Sequence, residues 1–409
     1  MKRFQLSAIA ALLAAMFSLT ISARATDKDT ILYSFLRGKG WNPQGTLLMD
    51  SSGNFFGANL NGGSANSGTI FELTPKGGGF YNYAVIYDCA SSPSCSAPLG
   101  PLVMDAAGNL YGSTLFGEVF ELTYTGGVWT AANLYDFGVS GAPSTVILDP
   151  AGNLYGTSGI GGSASKGFVF ELSPASGGVW TFTDIHDFTG PDGDESGCCT
   201  YAGLIIDPSG NLYGTTGSGG SSSACTSGCG VVFELTNNAG AWTETVLHSF
   251  TGTDGSAPSS PLLMTPNGNL YGSTASSGPG GFGTAFEMRK VSGVWQTGTI
   301  HAFSGGADGA TPNTALVRDA LGNLYGTTLA GGGGGGECIS GGGITGCGTA
   351  FELTCTGSGW EKTLLHPFSG LVDGAFPGGL IVNGSGNLFG VAPAGGHLGW
   401  GVAFELSPK

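Results

Sequence analysis

Asp207-Pro208-Ser209-Gly210-Asn211-Leu212-Tyr213-Gly214 is the stretch that decides the fold, because the chain writes it, or a near copy, seven times. The other copies run from Asp50 to Gly57, Asp105 to Gly112, Asp149 to Gly156, Thr265 to Gly272, Asp319 to Gly326 and Asn383 to Gly390. The opening Asp, Asn or Thr suits a turn in which its side chain bonds backbone two residues on. Pro150 and Pro208 preset the next φ, and the Gly before Asn takes a left-handed position. The Gly after Tyr sits inside a strand pattern, where the missing side chain lets a neighbouring blade or an aromatic ring approach the backbone.

Working outward, each copy is followed by a variable polar loop and then Phe-Glu-Leu, at Phe71, Phe120, Phe170, Phe233, Phe286 (with Met288), Phe351 and Phe404. A Gly-rich turn and an aliphatic-His/Tyr-x-Phe segment come next, ending at Cys89 in place of Phe, then at Phe137, Phe188, Phe250, Phe303 and Phe368. A short apolar run such as Leu204-Ile205-Ile206 leads into the next copy. Four short β-prone segments per repeat predict a four-stranded antiparallel sheet. Seven repeats of about 55 residues predict an all-β, seven-bladed β-propeller. The segment Ile31-Leu32-Tyr33-Ser34-Phe35 reads as a fourth strand standing alone, and Phe404-Glu405-Leu406 as a third strand lacking one. Residues 29 to 36 are therefore expected to complete the last blade and close the ring, which removes exposed sheet edges.

Spacing distinguishes the two faces of the ring. The Asn-to-Phe distance varies from 11 residues (Asn109 to Phe120) to 28 (Asn323 to Phe351), and the fourth-to-first connection varies from 12 (Phe137 to Asp149) to 19 (Phe188 to Asp207). The two hairpins keep a nearly fixed length. In an antiparallel blade the variable connections share one face, and function sits more often on such loops.

Residues 1–25 have the parts of a signal peptide: Lys2 and Arg3, an apolar run, and Ala23-Arg24-Ala25 as the cleavage site. Residues 26–409 are read as a single propeller domain, secreted or periplasmic, with no membrane span after signal removal. Loss of Lys2, Arg3 and Arg24 leaves 28 acidic residues and a formal charge of −18, three units below the −15 of the full chain. That balance disfavours nucleic acid and anionic membrane.

Several residue sets carry chemistry and also a plain structural reading. The seven Phe-Glu-Leu glutamates are read as cross-strand partners of Thr, with Glu234 facing Thr243 if the hairpin turns at residues 237–240. Trp129, Trp180, Trp242, Trp295 and Trp360 recur at one position and are read as blade packing, whereas Trp41 and Trp400 break the rule and are candidates for ligand binding. His186, His248, His301 and His366 alternate with Tyr33, Tyr87 and Tyr135, which suggests a half-buried polar end in place of a metal ligand. Asp192-Gly193-Asp194-Glu195-Ser196-Gly197 matches the start of a calcium loop, with Asp192, Asp194 and Ser196 as ligands, although Gly203 stands where a bidentate Glu is needed. No cofactor is read as required, and calcium is the one candidate. Cys89 with Cys95, Cys225 with Cys229, and Cys338 with Cys347 are candidate disulfides of an exported chain. Cys198 and Cys199 leave open another pairing with Cys225 and Cys229, or a four-thiolate zinc site, and Cys355 is expected to stay free.

The combination Gly-Asn-Leu-Tyr-Gly-Thr-Thr, Gly-Thr-x-Phe-Glu-Leu-Thr and Leu-His-x-Phe, clearest in residues 204 to 250 and 316 to 368, resembles the Gloeobacter/Verrucomicrobia-type (GloVer) tandem repeat of secreted bacterial proteins. The resemblance covers nearly all of residues 29 to 409 and carries over no catalytic residues. It implies a C-terminal surface anchor in many members, whereas Lys409 here follows a blade strand directly and points to a soluble exported form. The expected function is a binding module for an extracellular or envelope polysaccharide or protein. The alternatives are a glycan-acting hydrolase or lyase using Asp192, Asp194 or Glu195 at the variable face, and a structural envelope protein.

Overall fold

A computed structural model describes residues 28–91, 95–138, 143–195, 203–258, 260–333, 338 and 344–408. The signal segment lies outside them. The described residues form seven four-stranded antiparallel sheets, six of them with their strands in sequence order, and together the sheets make a seven-bladed β-propeller. Blade one comprises Trp41–Met49, Phe55–Asn61, Thr69–Gly77 and Phe80–Asp88. Blades two to six run over residues 98–136, 143–187, 205–249, 263–302 and 317–367. Blade seven takes Ile381–Val382, Leu388–Ala392 and Val402–Ser407, and its fourth strand is Lys28–Ser34. Lys28 pairs Ser407 and Ile31 pairs Phe404, so the ring is closed by the N-terminal strand.

Burial follows position within the blade. Second strands such as Leu212–Thr216 are buried at every residue, because sheets pack on both of their faces. Fourth strands such as Ala241–Ser249 alternate exposed and half-buried residues, as outer edges do.

The turn of the opening motif forms as its residues dictate. Asp207 Oδ1 accepts from the amides of Ser209 (2.8 Å) and Asn211 (2.9 Å), and Oδ2 accepts from Asn211 Nδ2 (2.9 Å). Gly210 holds φ at +86°, which is why Gly precedes Asn. The Gly after Tyr has a different reason. A Cβ on Gly214 would lie 2.5 Å from Phe233 Cζ and 2.9 Å from Leu204 Cδ2. The same Phe-ring contact recurs at Gly57, Gly112, Gly156, Gly272, Gly326 and Gly390. The Phe of Phe-Glu-Leu thus lies flat over a bare stretch of its own sheet.

That ring also meets the preceding blade. Phe188 stands edge-on to Phe233 at 5.3 Å, Phe250 to Phe286 at 5.2 Å, and Phe303 to Phe351, Phe368 to Phe404 and Phe35 to Phe71 at 5.1 Å. Phe137 and Phe170 lie 4.8 Å apart, tilted at 50°. Between blades one and two the Phe is replaced by Cys89, whose disulfide to Cys95 packs in the same cluster as Phe120. The recurrent tryptophans pack between blades as well, Trp180 on Tyr111, Trp242 on Tyr155 and Trp360 on Tyr271, at 5.9–6.2 Å.

One expected pairing is corrected. Glu234 pairs in register with Thr245, because the hairpin closes at Asn238 and Ala241, two residues' worth of register away from the expected Thr243. Its Oε1 accepts from the motif tyrosine, Tyr213, at 2.7 Å, and Asp207 Oδ2 lies 3.4 Å from the same hydroxyl. Tyr111, Tyr155 and Tyr325 sit between the equivalent Asp and Glu. The glutamates therefore belong to the fixed-hairpin face, as hydrogen-bond partners of the motif.

Two predictions follow from this geometry. Gly214→Val should lower stability by about 1–3 kcal/mol, since the Phe233 ring and Leu204 must give way together; a calorimetric melt no lower than that of the parent would rule out the close approach. Deleting residues 28–34 should uncover the edge of Val402–Ser407 and lower the melting temperature of the whole domain by several degrees.

Candidate functional site

The first strands surround the axis, and their starts, with the ends of the second strands, lie on the variable-loop face. There they line a cavity of about 180 Å³. Six blades contribute, through Pro43 to Thr46, Pro101, Thr145, Pro261, Asn313 to Ala315 with Leu329, and Phe376 to Gly379 with Pro393. Gly203 supplies the blade-four contact, since a Cβ there would lie 2.6 Å from Thr145 Oγ1 and 2.8 Å from Pro261. Among the described residues lining the cavity none is ionisable. Asn313 adds an Oδ1 that is buried and lacks a partner.

The rim of this mouth is built by a repeated latch. Asn42, Ala97, Ala257, Thr311 and Phe376 all hold φ between +53° and +61°, and each precedes a proline. Each donates its amide across to the preceding blade: Asn42 to Trp400 O, Ala97 to Ser67 O, Ala257 to Cys229 O, Thr311 to Phe282 O and Phe376 to Cys347 O, at 2.7–3.1 Å. The prolines then cover Gly401, Gly68, Gly230, Gly283 and Gly348, where a Cβ would meet the ring at 2.5–2.8 Å. A left-handed β-branched or bulky residue costs of order 1–3 kcal/mol. The inter-blade bond and the Pro-on-Gly contact hold it there. Thr215 Oγ1, Ser273 Oγ and Thr327 Oγ1 add bonds to the carbonyls of Ser260, Thr314 and Gly378, which lie three residues before the first strands of the following blades.

Trp41 and Trp400, 359 positions apart, come together at the junction of blades seven and one, with ring centroids 5.1 Å apart and Arg37 5.5 Å from the Trp400 ring. Trp41 Nε1 donates to Asn66 Oδ1 (3.2 Å), and Pro43, two residues on, lines the cavity. Nothing in the spacing of the repeats brings the two tryptophans together; only ring closure does.

The calcium-loop residues separate. Asp192 Oδ1 accepts from Thr189 N and Oγ1 at 2.8 Å, while Asp194 Oδ2 is 2.6 Å from Lys166 Nζ. Ser196 lies outside the described residues. Glu195 is fully buried and stands over Gly167 at the place where other blades put proline. None of the three lines the channel cavity. Asp192 instead lies with His186 and Glu244, whose ligand atoms fall within 4.8 Å of one another. The other Asp-Gly loops supply matching pairs that sequence reading missed: His248 with Asp254 (2.8 Å), His301 with Asp308 (3.1 Å) and His366 with Asp373 (3.0 Å). The signal was the recurrence of Asp-Gly six or seven residues after each His.

The disulfides Cys89–Cys95, Cys225–Cys229 and Cys338–Cys347 are all formed on variable loops, and Cys355 is an exposed free thiol. The Cys225–Cys229 bond excludes the four-thiolate zinc alternative. Cys198 and Cys199 lie outside the described residues. Three disulfides fit an oxidising compartment, and among the described residues no helix is long and apolar enough to cross a membrane.

The fold and its site define a closed seven-bladed propeller with an uncharged central mouth on the variable-loop face. The chain belongs to the Gloeobacter/Verrucomicrobia repeat family, whose model matches residues 13–179 and 116–339. No curated protein matches it in sequence. Among solved structures it is similar to streptogramin B lyase, at TM-score 0.57 and 12% identity over 95% of this chain and 99% of that one. It is also similar to PorZ, an essential surface component of the type-IX secretion system of Porphyromonas gingivalis, at TM-score 0.55 and 14% identity over 92% of this chain and 48% of that one. At such identities these likenesses carry the fold alone.

The His–Asp pairs generate a pH prediction. Burial would push the Asp254 carboxyl up, but hydrogen bonds from Thr251 and His248 outweigh it and hold the group below the usual carboxylate range. A depressed folded-state value stabilises the fold fully above the unfolded value of about 4 and is lost as pH falls through the folded one. Asp254→Asn should therefore cost about 1 kcal/mol at pH 7. The gap to the parent should narrow in thermal melts as pH falls below about 4 and the folded-state carboxyl takes up its proton.

Proposed function

We propose that this protein is an exported binding module whose variable-loop face, centred on the channel mouth, takes a neutral, extended ligand of the cell envelope or its surroundings, in the first place a glycan chain. The observation that carries the reading is the chemistry of the mouth: proline rings, glycine backbone, hydroxyls and an unpartnered amide, with no charge among the described lining residues. Such a lining costs little to desolvate and offers hydrogen bonds to uncharged hydroxyl or amide groups. The Trp41–Trp400 pair beside the rim adds flat apolar surface, suited to stacking on a sugar face or a peptide side chain. The acidic balance of the chain argues against nucleic acid and anionic membrane as partners. A hydrolase or lyase needs ionisable groups converging on the bound ligand. Asp192, Asp194 and Glu195 stand away from the cavity, so binding without turnover is the better supported reading.

The test is a glycan and peptide array with the mature protein, followed by calorimetry on any hit and a parallel search for turnover. Saturable binding without product is expected. Trp400→Ala should weaken it by tenfold or more. Product formation would move the protein to the enzymes, and the absence of any saturable ligand would leave it a structural component.

A further inference from the structure

Neighbouring blades meet at their outer strands through one repeated couple. At four boundaries the His or Tyr near the end of a fourth strand faces the residue two places after the Trp or Tyr of the next fourth strand. Between blades two and three the couple is Tyr135 stacked on Phe182 at 4.9 Å, and between blades seven and one it is Tyr33 on Tyr83 at 4.1 Å. Between blades five and six it is His301 and Lys362. There a buried ammonium, 7% exposed, lies 2.9 Å from Asp308 Oδ1 and 2.8 Å from the Asp308 carbonyl, and His301 lies 3.1 Å from the same Oδ1. The seat that Asp308 and His301 form is filled by a cation.

Between blades three and four the same seat is built from His186 and Asp192, but Glu244 stands where Lys362 would. The cation is replaced by a second carboxylate. Asp192 spends Oδ1 on Thr189, leaving Oδ2 3.3 Å from His186 Nε2, wider than the 2.8–3.1 Å of the other three His–Asp pairs. Nε2 of His186 and Oε1 of Glu244 are both buried, the first with only the 3.3 Å approach of Asp192 and the second without a hydrogen-bond partner. The other charges nearby do not compensate: Asp184 and Asp187 add negative charge on the same strand, and Lys166 is taken by Asp194.

We propose that His186, Asp192 and Glu244 form a divalent metal site that clamps blades three and four, in the place where Lys362 clamps blades five and six. One imidazole nitrogen and two carboxylate oxygens neutralise a divalent ion. The 3.3 Å Nε2-to-Oδ2 edge is close to that subtended by ligands about 2.0–2.1 Å from a tetrahedral centre. That donor set favours zinc over calcium, which takes six to eight oxygens. All three residues are half-buried.

The probe is zinc chloride added to chelator-stripped mature protein, read by calorimetry and thermal melting, with calcium chloride as the comparison. One zinc per chain and a rise of several degrees in melting temperature are expected, with little response to calcium. Glu244→Lys should weaken zinc binding at least a hundredfold, yet melt in chelator no lower than the parent, because the ammonium restores the arrangement of blades five and six. His186→Gln should also lose the zinc response while remaining folded by circular dichroism. The site is overturned if zinc leaves the melting temperature unchanged, if calcium acts and zinc does not, or if both variants keep the parental affinity.

Discussion

The structure depends on a phenylalanine ring that belongs to two blades at once. Phe233 lies over Gly214 of its own sheet and receives the edge of Phe188 from the sheet before it. An edge-to-face pair contributes about 0.5–1.5 kcal/mol beyond the area it buries, modest alone. Its weight comes from repetition around a closed ring. Each blade presents its Phe to one neighbour and its terminal Phe to the other, so no blade has a complete core by itself. The glycine is the other half of the device, because a side chain at Gly214 would occupy the space of the ring. Where blade one lacks its terminal Phe, the Cys89–Cys95 disulfide fills the same cluster, a covalent substitute for an aromatic contact.

How far the sequence discloses this depends on whether a feature is local. The Asp-x-x-Gly-Asn turn involves contacts within four residues, so its hydrogen bonds could be read from side-chain chemistry alone. The third-strand Phe and the second-strand Gly stand opposite each other in a fixed register, and the need for a close approach was visible though its partner was not. The Glu of Phe-Glu-Leu was legible only in part. A two-residue uncertainty in where the hairpin turns was enough to assign it to Thr243, when its side chain reaches back to Tyr213. The His–Asp pairs were hidden by a register shift before each His and by Asp-Gly loops of unequal length. The meeting of Trp41 with Trp400 could not be read at all, since it exists only because strand Lys28–Ser34 closes the ring.

The two faces divide the work. On the fixed-hairpin face, polar groups satisfy one another: Asp207, Asn211, Tyr213 and Glu234 form one hydrogen-bonded set, repeated with small changes. Where Phe389 replaces Tyr and Asn383 replaces Asp, Asn387 turns its amide to Glu405 instead, at 2.6 Å. On the variable face, polar groups are held by backbone and neighbouring loops, and the centre is left lined by prolines and hydroxyls. The motif groups on the first face are spent on one another, whereas the mouth on the other keeps the unpartnered Oδ1 of Asn313.

The left-handed residues around the mouth show why loop length can drift on that face without loosening the ring. Thr311 and Phe376 accept an unfavourable φ because that conformation alone aims the amide at the preceding blade while the next proline caps its glycine. At five of the first strands the cost falls on a single residue at the entry, and the loop before it is free to lengthen. Blade four reaches the same junction differently: Glu195 sends its amide to Lys166 O at 2.8 Å and its side chain takes the place of proline over Gly167. That departure falls in the stretch that also contains Asp192 and Asp194. Seven near-identical units thus make each exception informative, because the other six copies serve as its control. By that measure the boundary between blades three and four combines two exceptions, Glu244 where other boundaries carry Phe182, Tyr83 or Lys362, and Glu195 where other blades carry proline.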